Sequence, residues 1–450
     1  MKVENLEDKH YYLLIVILSL IFFFSRIYEP SLSGDAAKYA LIAKTMLKTK
    51  NFLVPQLGDT FYFKKPPFFF WILALSFKFL GISEFSARLP SAIFATLDAI
   101  LIYIIGKRIS NQKLIGFLAS IAFIINFEVI RISSIVRFES FMLLVNLLSL
   151  LLMTYPSYLR SLLTGCLISA GLLTKGPLAL LGISATIIQS ITSKDLKTLK
   201  LQFFSILIAF TIFGFYLLYM ANHYPIFFKD FFLNQILGRI TGSLKEGHAR
   251  SFFFYERVIL KHFWIWNIFL FLFLFSFLRE RKEFIRRTLV IADVKLWKSF
   301  LYMFLITYIP LHFVSLKFTR YSYYLYPFLC LIVSFVIVKR KFIKPIIYFS
   351  FLVSLTYTVV ALSCPCKFHK DKLKDIRPLI KIGIYNFHHL KIDKNINKYT
   401  AYALLFYFDE LSLTKDYKYI LSYKNCTKSL LKYKSFCIIK NSTYKKGHYQ

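Results

Sequence analysis

The stretch "GDAAKYALIAKTMLKTKNFLVPQLGDTFYFKKPPFFFW", residues Gly34–Trp71, follows the first apolar segment of the chain. Asp35 lies at the start of a helical pattern. That pattern places apolar residues on one side and Lys38, Lys44 and Lys48 on the other. Such a helix is expected in the membrane interface, with its lysines directed to lipid head groups. Asp35 is then either a reactive carboxylate or only the N-cap of this helix, a position that Asp fills well.

The segment "FYFKKPPFFFW", which ends this stretch, contains two consecutive prolines. Because proline is tolerated at the start of a helix and not in its interior, Pro66 and Pro67 predict the beginning of a new helix. Lys64 and Lys65 precede that helix and could face phosphate groups. The alternative is that both lysines only anchor the helix at the membrane surface.

The composition of the whole chain indicates a membrane protein. Of the 450 residues, 57% are hydrophobic and only 18% charged, and the apolar residues come in long runs. The net charge of +35 would suit a nucleic-acid-binding protein, but the basic residues cluster between apolar runs, as membrane topology requires. The fold expected is therefore mainly α, a polytopic transmembrane helical bundle.

Membrane spans need roughly 17–25 mostly apolar residues, and about eleven candidates are found. The first could be a signal peptide, but no small-residue cleavage pattern follows it, so an uncleaved helix is preferred. The pair within 161–192 could be half-spanning. The candidates lie near residues 11–28, 85–106, 112–127, 139–154, 161–174, 177–192, 200–220, 257–278, 298–316, 322–338 and 344–363.

The basic loops predict the topology. With the N-terminus in the cytoplasm, every loop assigned to that side carries Lys or Arg, as the positive-inside rule requires; these are "GKRISNQK", "YPSYLR", "SKDLKTLK", "RERKEFIRR" and "KRKFIKP". The Asp35 loop, with its interfacial helices, and the tail after Ser363 are then external. A multi-pass protein of the cell (inner) membrane is expected, with its C-terminal part external or periplasmic.

Residues 364–450 change in character and predict a small external α/β domain, after a transmembrane domain over 1–363. "DKLKDIRPLIKIG" is typical of a helix leading into a strand, and "YALLFYF", "YKYILSY" and "FCIIKN" are typical of strands. Cys364 and Cys366 are too close together for an ordinary metal pair. Disulfides with Cys426 and Cys437 stay open, because connectivity is not readable from sequence.

Several motifs in order resemble the bacterial lipid-A aminoarabinose transferases and the related protein O-mannosyltransferases, which are GT-C membrane glycosyltransferases. The similarity covers about residues 10–340 and continues in "RISSIVRFESFMLLVNLL", "GLLTKGPLALL", "NQILGRITGSLKEGHARSFFFY" and "SLKFTRYSYYLYPFL". Matching residues in the opening are Gly34, Asp35, Ala37, Tyr39, Val54, Pro55, Lys65, Pro66, Pro67, Trp71, Glu84, Ala87, Arg88, Leu89, Pro90 and Ser91.

The chain also departs from this family's pattern. Ala36 stands where the family has a glutamate, Lys64 where it has an acid, and Glu139 where it has an aspartate. The acid usually found ahead of the arginine at Arg239 is missing. We interpret these departures as a preserved reaction with altered partners. Because of Ala36 and Lys64, the family's exact acceptor and any metal site at that position are not carried over to this chain.

The resemblance implies a polyprenyl-phosphate (undecaprenyl-phosphate) sugar donor and an inverting transfer to lipid A, another envelope glycan or protein. A departing phosphate needs positive charge rather than a strong acid. Asp35 is the candidate base, with Glu139 as second acid. The candidate phosphate-binding residues are Lys65, Arg137, Lys175, Arg239 and Lys317. Further candidates for the site are Tyr39, Arg88, His248, Arg320 and Tyr324.

Other interpretations stay open at this point. Arg137 and Glu139 could form a helix-end salt bridge, Lys175 could be a helix-end anchor, and His248 an ordinary polar loop residue. A flippase or transporter of lipid-linked sugars would also have many spans, although no internal repeat is seen. No cofactor or nucleic-acid partner is expected, and the residues leave a divalent metal open without assigning a ligand.

Overall fold

The computed structural model is dominated by helices, as the sequence predicts. It describes residues 7–25, 27, 32, 34–238, 250–289, 291–339, 345, 346, 349, 352, 353, 356, 390–392, 398–407, 411, 412, 419–423, 429–433 and 436–440. Within these ranges the chain forms two compact units. The first contains Met1–Ile27, Phe63–Phe68 and Ser91–Ser363, and the second Tyr28–Tyr62, Phe69–Pro90 and Cys364–Gln450. The division into domains at residue 363 remains a prediction.

The helices up to the middle of the chain follow the apolar runs of the sequence. They are α1 (Asp8–Phe24), α2 (Gly34–Thr49), α3 (Phe68–Leu80), α4 (Glu84–Ser110), α5 (Lys113–Ile124), α6 (Phe127–Ser133), α7 (Glu139–Thr154), α8 (Tyr158–Lys175), α9 (Leu181–Thr192) and α10 (Leu196–His223). A 3-10 segment, Gly176–Leu180, joins α8 to α9.

The second half of the chain continues with shorter and longer helices. They are α11 (Ile226–Phe228), which leads into a π-helical stretch over Lys229–Leu237, then α12 (Phe254–His262), α13 (Trp264–Thr288), α14 (Val294–Phe313), α15 (Tyr326–Lys339) and α16 (Lys398–Tyr407). A second 3-10 segment, Thr319–Tyr324, lies between α14 and α15.

Three described helical segments are long and apolar enough to cross a membrane: Glu84–Ser110, Tyr158–Thr192 and Leu196–His223. The bent pair formed by α5 and α6 makes a fourth if it counts as one span, and α3, α7, α15 and part of α13 are shorter apolar helices. The helices occur where candidate spans were predicted from residue 11 to residue 338. The number of eleven spans remains a prediction.

Close packing in the first unit centres on Asn146 and Gly182. The Asn146 side chain accepts a hydrogen bond from the Gly182 backbone N–H at 2.9 Å and donates to the carbonyl oxygens of Met142 at 2.7 Å and Leu178 at 3.0 Å. A Cβ at Gly182 would lie 2.1 Å from the Asn146 carbonyl oxygen. Glycine therefore allows α9 to approach α7, as small residues do between membrane helices.

We expect Gly182→Ala to lower the thermal unfolding temperature of the detergent-solubilised protein by several degrees, because the added methyl overlaps the α7 backbone. Gly214→Ala is the matched control, since no atom lies within 4 Å of a Cβ there. Alanine should leave α10 equally or more stable at that position. An unfolding temperature that falls equally in both variants would contradict the role given to Gly182.

The second unit contains two β-sheets. A small antiparallel pair is formed by β1 (Gln56–Leu57) and β2 (Thr60–Phe61). A five-stranded sheet in the tail has the order β4-β3-β5-β7-β6. Its strands are β3 (Leu390–Ile392), β4 (Leu411–Ser412), β5 (Tyr419–Tyr423), β6 (Ser429–Tyr433) and β7 (Phe436–Lys440). The β3 strand pairs in parallel with β4 and β5, whereas β7 pairs antiparallel with β5 and β6.

Two predictions for this unit are wrong and two are confirmed. "YALLFYF" forms helix α16 rather than a strand, because Ala403, Leu404 and Phe406 bury one face of a helix. Lys44 is buried, and its Nζ donates to the Phe406 carbonyl oxygen at 2.7 Å instead of reaching toward head groups. The strands expected in "YKYILSY" and "FCIIKN" are present as β5 and β7. "DKLKDIRPLIKIG" and three of the four tail cysteines lie outside the described residues.

Candidate active site

A buried carboxylate surrounded by cations forms the candidate site in the first unit. Glu139 is the first residue of α7 and has no solvent exposure. The Lys175 Nζ lies 3.4 Å from Glu139 Oε1, and the Arg320 Nε lies 3.5 Å from the same oxygen. Arg137, two residues earlier in the chain, adds a favourable charge interaction. The other oxygen, Oε2, has no hydrogen-bond partner among the described residues.

Lys175 occupies a pocket of aromatic rings. It is the last residue of α8, and Gly176 ends that helix with φ +73°, a backbone conformation that favours glycine. The Lys175 Nζ lies 4.7 Å from the centroid of the Phe138 ring and 4.8 Å from that of Tyr321. Rings at these distances stabilise a cation. Lys175 is therefore a buried member of the cluster rather than a helix-end anchor.

Lys65 meets the same aromatic ring. Its Nζ lies 6.0 Å from the Phe138 centroid, and the residue is only 8% exposed. The preceding Lys64 is exposed. The two lysines before Pro66 and Pro67 thus differ: the snorkelling interpretation suits Lys64, whereas Lys65 joins the cluster around Phe138.

The 3-10 segment Thr319–Tyr324 supplies two further predicted residues. The Arg320 guanidinium lies 4.2 Å from the Phe318 ring centroid, and the buried Tyr324 ring has its centroid 5.9 Å from the Lys175 Nζ. Lys317, just before this segment, is also buried, but no described contact joins it to Glu139. The Tyr323 hydroxyl donates to Asp98 Oδ2 at 3.1 Å and ties the segment to α4.

The backbone beside Arg137 is fixed by Ser91. The Ser91 hydroxyl donates to the Arg137 carbonyl oxygen at 2.8 Å and accepts from the Arg137 backbone N–H at 3.0 Å. The Ser140 hydroxyl in turn donates to the Ser91 carbonyl oxygen at 3.1 Å. These bonds explain why Ser91, the last residue of the "ARLPS" motif, matters for the position of Glu139.

Other predicted residues lie in the second unit. Asp35 is in the first turn of α2, where a carboxylate suits the helix dipole, and its Oδ1 lies 2.6 Å from the Lys38 Nζ. Tyr39 packs on the Phe70 ring at 5.8 Å, and Arg88 is almost fully buried. Arg239 and His248 lie outside the described residues.

A second charged group was not singled out from the sequence. The buried Glu128 accepts a hydrogen bond from the Arg131 Nε at 2.8 Å, and the His262 Nδ1 lies 3.4 Å from the same oxygen, Oε2. The Arg131 guanidinium also approaches the Thr319 hydroxyl at 3.4 Å. An acid within the apolar run "IINFEVI" is the signal that could have revealed this group, because such residues are rare at membrane depth.

The arrangement suits an anion held beside a carboxylate. Four basic side chains, those of Lys65, Arg137, Lys175 and Arg320, come from four separate segments and face shared aromatic and acidic partners. Lysine and arginine side chains grouped in this way are the usual partners of a phosphate. In the described part of the chain, no group of three His, Cys, Asp or Glu side chains could hold a metal ion.

We expect Glu139→Gln to destabilise the protein by about 3–5 kcal/mol, because it leaves the largely shielded Lys175 and Arg320 without their counter-charge. Lys175→Met should then lower the free energy of unfolding by less in the Glu139→Gln background than in the wild type, since the two residues form one pair. The measurement is a double-mutant cycle by thermal unfolding in detergent.

Lys200→Met provides the control for this cycle, because Lys200 is exposed on α10. The changes in the free energy of unfolding caused by Lys200→Met and Glu139→Gln should therefore be additive. Strict additivity of Glu139→Gln and Lys175→Met would mean that the two side chains do not interact.

Comparison with known proteins finds similarity to membrane glycosyltransferases. Residues 64–219 match the family described as dolichyl-phosphate-mannose-protein mannosyltransferase. An uncharacterised protein of Aquifex aeolicus (strain VF5) is 27% identical over 97% of this chain and 91% of its own length. An undecaprenyl phosphate-alpha-4-amino-4-deoxy-L-arabinose arabinosyl transferase of Wigglesworthia glossinidia brevipalpis is 37% identical over 22% of this chain and 17% of its own length.

Solved structures show the same fold. The crystal structure of ArnT from Cupriavidus metallidurans bound to undecaprenyl phosphate matches with a TM-score of 0.61 at 16% identity, over 74% of this chain and 60% of that one. The archaeal oligosaccharyltransferase AglB from Archaeoglobus fulgidus matches with a TM-score of 0.52 at 14% identity, over 94% of this chain and 70% of that one. The resemblance to GT-C glycosyltransferases and the mainly helical, multi-pass membrane fold are thus confirmed.

Proposed function

We propose that this chain, which has the fold of the GT-C glycosyltransferases, moves a sugar from a polyprenyl-phosphate donor to an acceptor of the cell envelope on the external side of the membrane. The observation that carries the proposal is the cluster of cations around the buried Glu139. The solved structure of ArnT with undecaprenyl phosphate supports the class of donor. The acceptor could be lipid A, another glycan or a protein.

The proposed reaction is a single displacement at the anomeric carbon. An acceptor oxygen forms a bond to that carbon while the bond to the phosphate oxygen breaks, and the electron pair leaves with the phosphate. Attack from the face opposite the phosphate inverts the anomeric centre. The acceptor proton passes to a carboxylate, for which Asp35 and Glu139 are the candidates.

The cations would stabilise the charge that develops on the leaving phosphate. Arg137 and Arg320 offer planar guanidinium groups suited to paired phosphate oxygens, whereas Lys65 and Lys175 act as point charges. Their positions are set before the donor binds, by Phe138 and by the Ser91 hydrogen bonds. Such preorganised charge stabilises a transition state without further rearrangement.

Lys65→Ala, Arg137→Ala and Lys175→Ala should each reduce transfer by about ten- to a hundredfold, because each removes a charge-assisted contact worth roughly 1.5–3 kcal/mol. The assay follows a radiolabelled polyprenyl-phosphate sugar with reconstituted protein and envelope acceptor. Lys197→Ala, which removes an exposed cation on α10, is the control and should retain full transfer.

The same assay tests the carboxylates. Asp35→Asn should keep the unfolding temperature and reduce transfer by at least about a hundredfold if Asp35 is the base. Substantial transfer by this variant would make Glu139 the leading acid. Relocation of the donor across the bilayer without consumption, in the presence of acceptor, would instead favour a flippase and refute the enzyme.

We also infer that the C-terminus is external and that the basic segment Arg279–Arg287 is cytoplasmic, in agreement with the positive-inside rule. A cysteine added after Gln450, in a variant whose six native cysteines are replaced by serine, should therefore react with a membrane-impermeant maleimide in intact spheroplasts. A cysteine placed within Arg279–Arg287 should react only after the membrane is opened. Labelling of the C-terminal cysteine only in opened cells would reverse the proposed sidedness of the site.

A further inference from the structure

A basic cavity separate from the Glu139 cluster lies beside α12. Its volume is about 410 Å³, and its floor contains the buried Phe254 and Val258. Four basic side chains and two hydroxyl groups line the rest: Arg250, Arg257, Lys261, His262, Ser251 and Thr319. No acidic residue is among the described residues that line it.

The arrangement of these cations favours an anionic occupant. Arg257 and Lys261 are four residues apart on one helix, so their like charges repel unless an anion lies between them. The Arg257 guanidinium donates to the Ser251 hydroxyl, and the Arg250 guanidinium lies 4.8 Å from the Phe254 ring centroid. Both guanidinium groups are thus held at the cavity.

Two described acids in this part of the fold are engaged elsewhere. Glu128 is buried against Arg131 and His262. Glu256, one position before Arg257, accepts hydrogen bonds from the Tyr308 hydroxyl at 2.5 Å and from the His312 Nε2 at 2.6 Å. Neither of these two carboxylates lines the cavity, whose charged lining among the described residues is basic.

The cavity has an apolar border. Phe252 and Phe253, which adjoin Ser251 in the chain, are 50% and 65% exposed, and Leu260 on α12 is 49% exposed. A basic pocket next to exposed aromatic and aliphatic side chains matches an amphiphile that carries phosphate at one end and hydrocarbon at the other. Inorganic phosphate would use the cations but gain nothing from these apolar residues.

We propose that this cavity binds the phosphate of a phosphorylated lipid head group, as a site distinct from the Glu139 cluster. Arg250, Arg257 and Lys261 contact the phosphate oxygens, Ser251 and Thr319 donate further hydrogen bonds, and the lipid chains lie along Phe252, Phe253 and Leu260. Lipid binding at this cavity does not require sugar transfer, so the proposal does not depend on the proposed reaction.

The test is native mass spectrometry of the full chain in neutral detergent, with dioleoyl phosphatidic acid as the probe. All proteins carry Lys65→Ala, so that phosphate binding at the Glu139 cluster contributes equally weakly throughout. Arg257→Gln/Lys261→Gln should weaken binding of the first phosphatidic acid by about tenfold or more. The matched pair Lys197→Gln/Lys200→Gln, which removes two exposed cations from α10, should leave it unchanged.

Four outcomes would overturn the proposal. Equal weakening in both double variants would show a general effect of net charge, and no weakening in either would show an empty cavity. Equal binding of dioleoylglycerol, which has the same chains without phosphate, would show that the cations are not used. If inorganic phosphate competes at the same concentration as the lipid, the ligand is free phosphate and the lipid assignment is wrong.

Discussion

The carboxylate of Glu139 is the charge on which the candidate site depends. A buried anion is costly unless cations compensate it, and here Lys175 and Arg320 approach the same oxygen from different segments of the chain. Because Glu139 has no solvent exposure, loss of either cation would leave its charge poorly compensated. The pairing therefore holds together the start of α7, the end of α8 and the 3-10 segment Thr319–Tyr324.

Local backbone features serve this pairing. Gly176 ends α8 directly after Lys175, and the Asn146 amide joins the following 3-10 segment to α7 and α9. Ser91 fixes the backbone next to Arg137, while Asp98 holds Tyr323 and with it the segment that carries Arg320. Aromatic rings fill the space between the lysines. They contribute favourable cation–π contacts without adding further ionised groups that would need solvation.

The proposed donor cluster and the basic cavity beside α12 differ in how their charges are balanced. The cluster contains its own carboxylate, whereas the charged side chains among the described residues that line the cavity are all basic. Both would attract phosphate, but the first is buried and aromatic, while the second has an exposed apolar border. A lipid that uses the second site would therefore bind through its chains as well as its phosphate.

Sequence patterns identified the class of the fold and much of the site, since long apolar runs form helices in any membrane protein and charged residues within them have few roles. They failed for "YALLFYF", because a short apolar and aromatic segment suits a strand and a buried helix equally well. They also misassigned Lys44. An amphipathic pattern shows on which side of a helix a lysine lies, but not whether another segment covers that side, as the segment that contains Phe406 does here.

The sequence by itself determined a multi-pass helical membrane protein, with Lys65, Arg137, Glu139, Lys175 and Arg320 as candidate site residues, because their types and motifs are local properties of the chain. Tertiary structure alone decided which of them meet. Lys64 and Lys65 are adjacent and alike in sequence, yet only Lys65 is buried against Phe138. The assembly of Glu128, Arg131 and His262 likewise depends on contacts between residues distant along the chain, which no local pattern encodes.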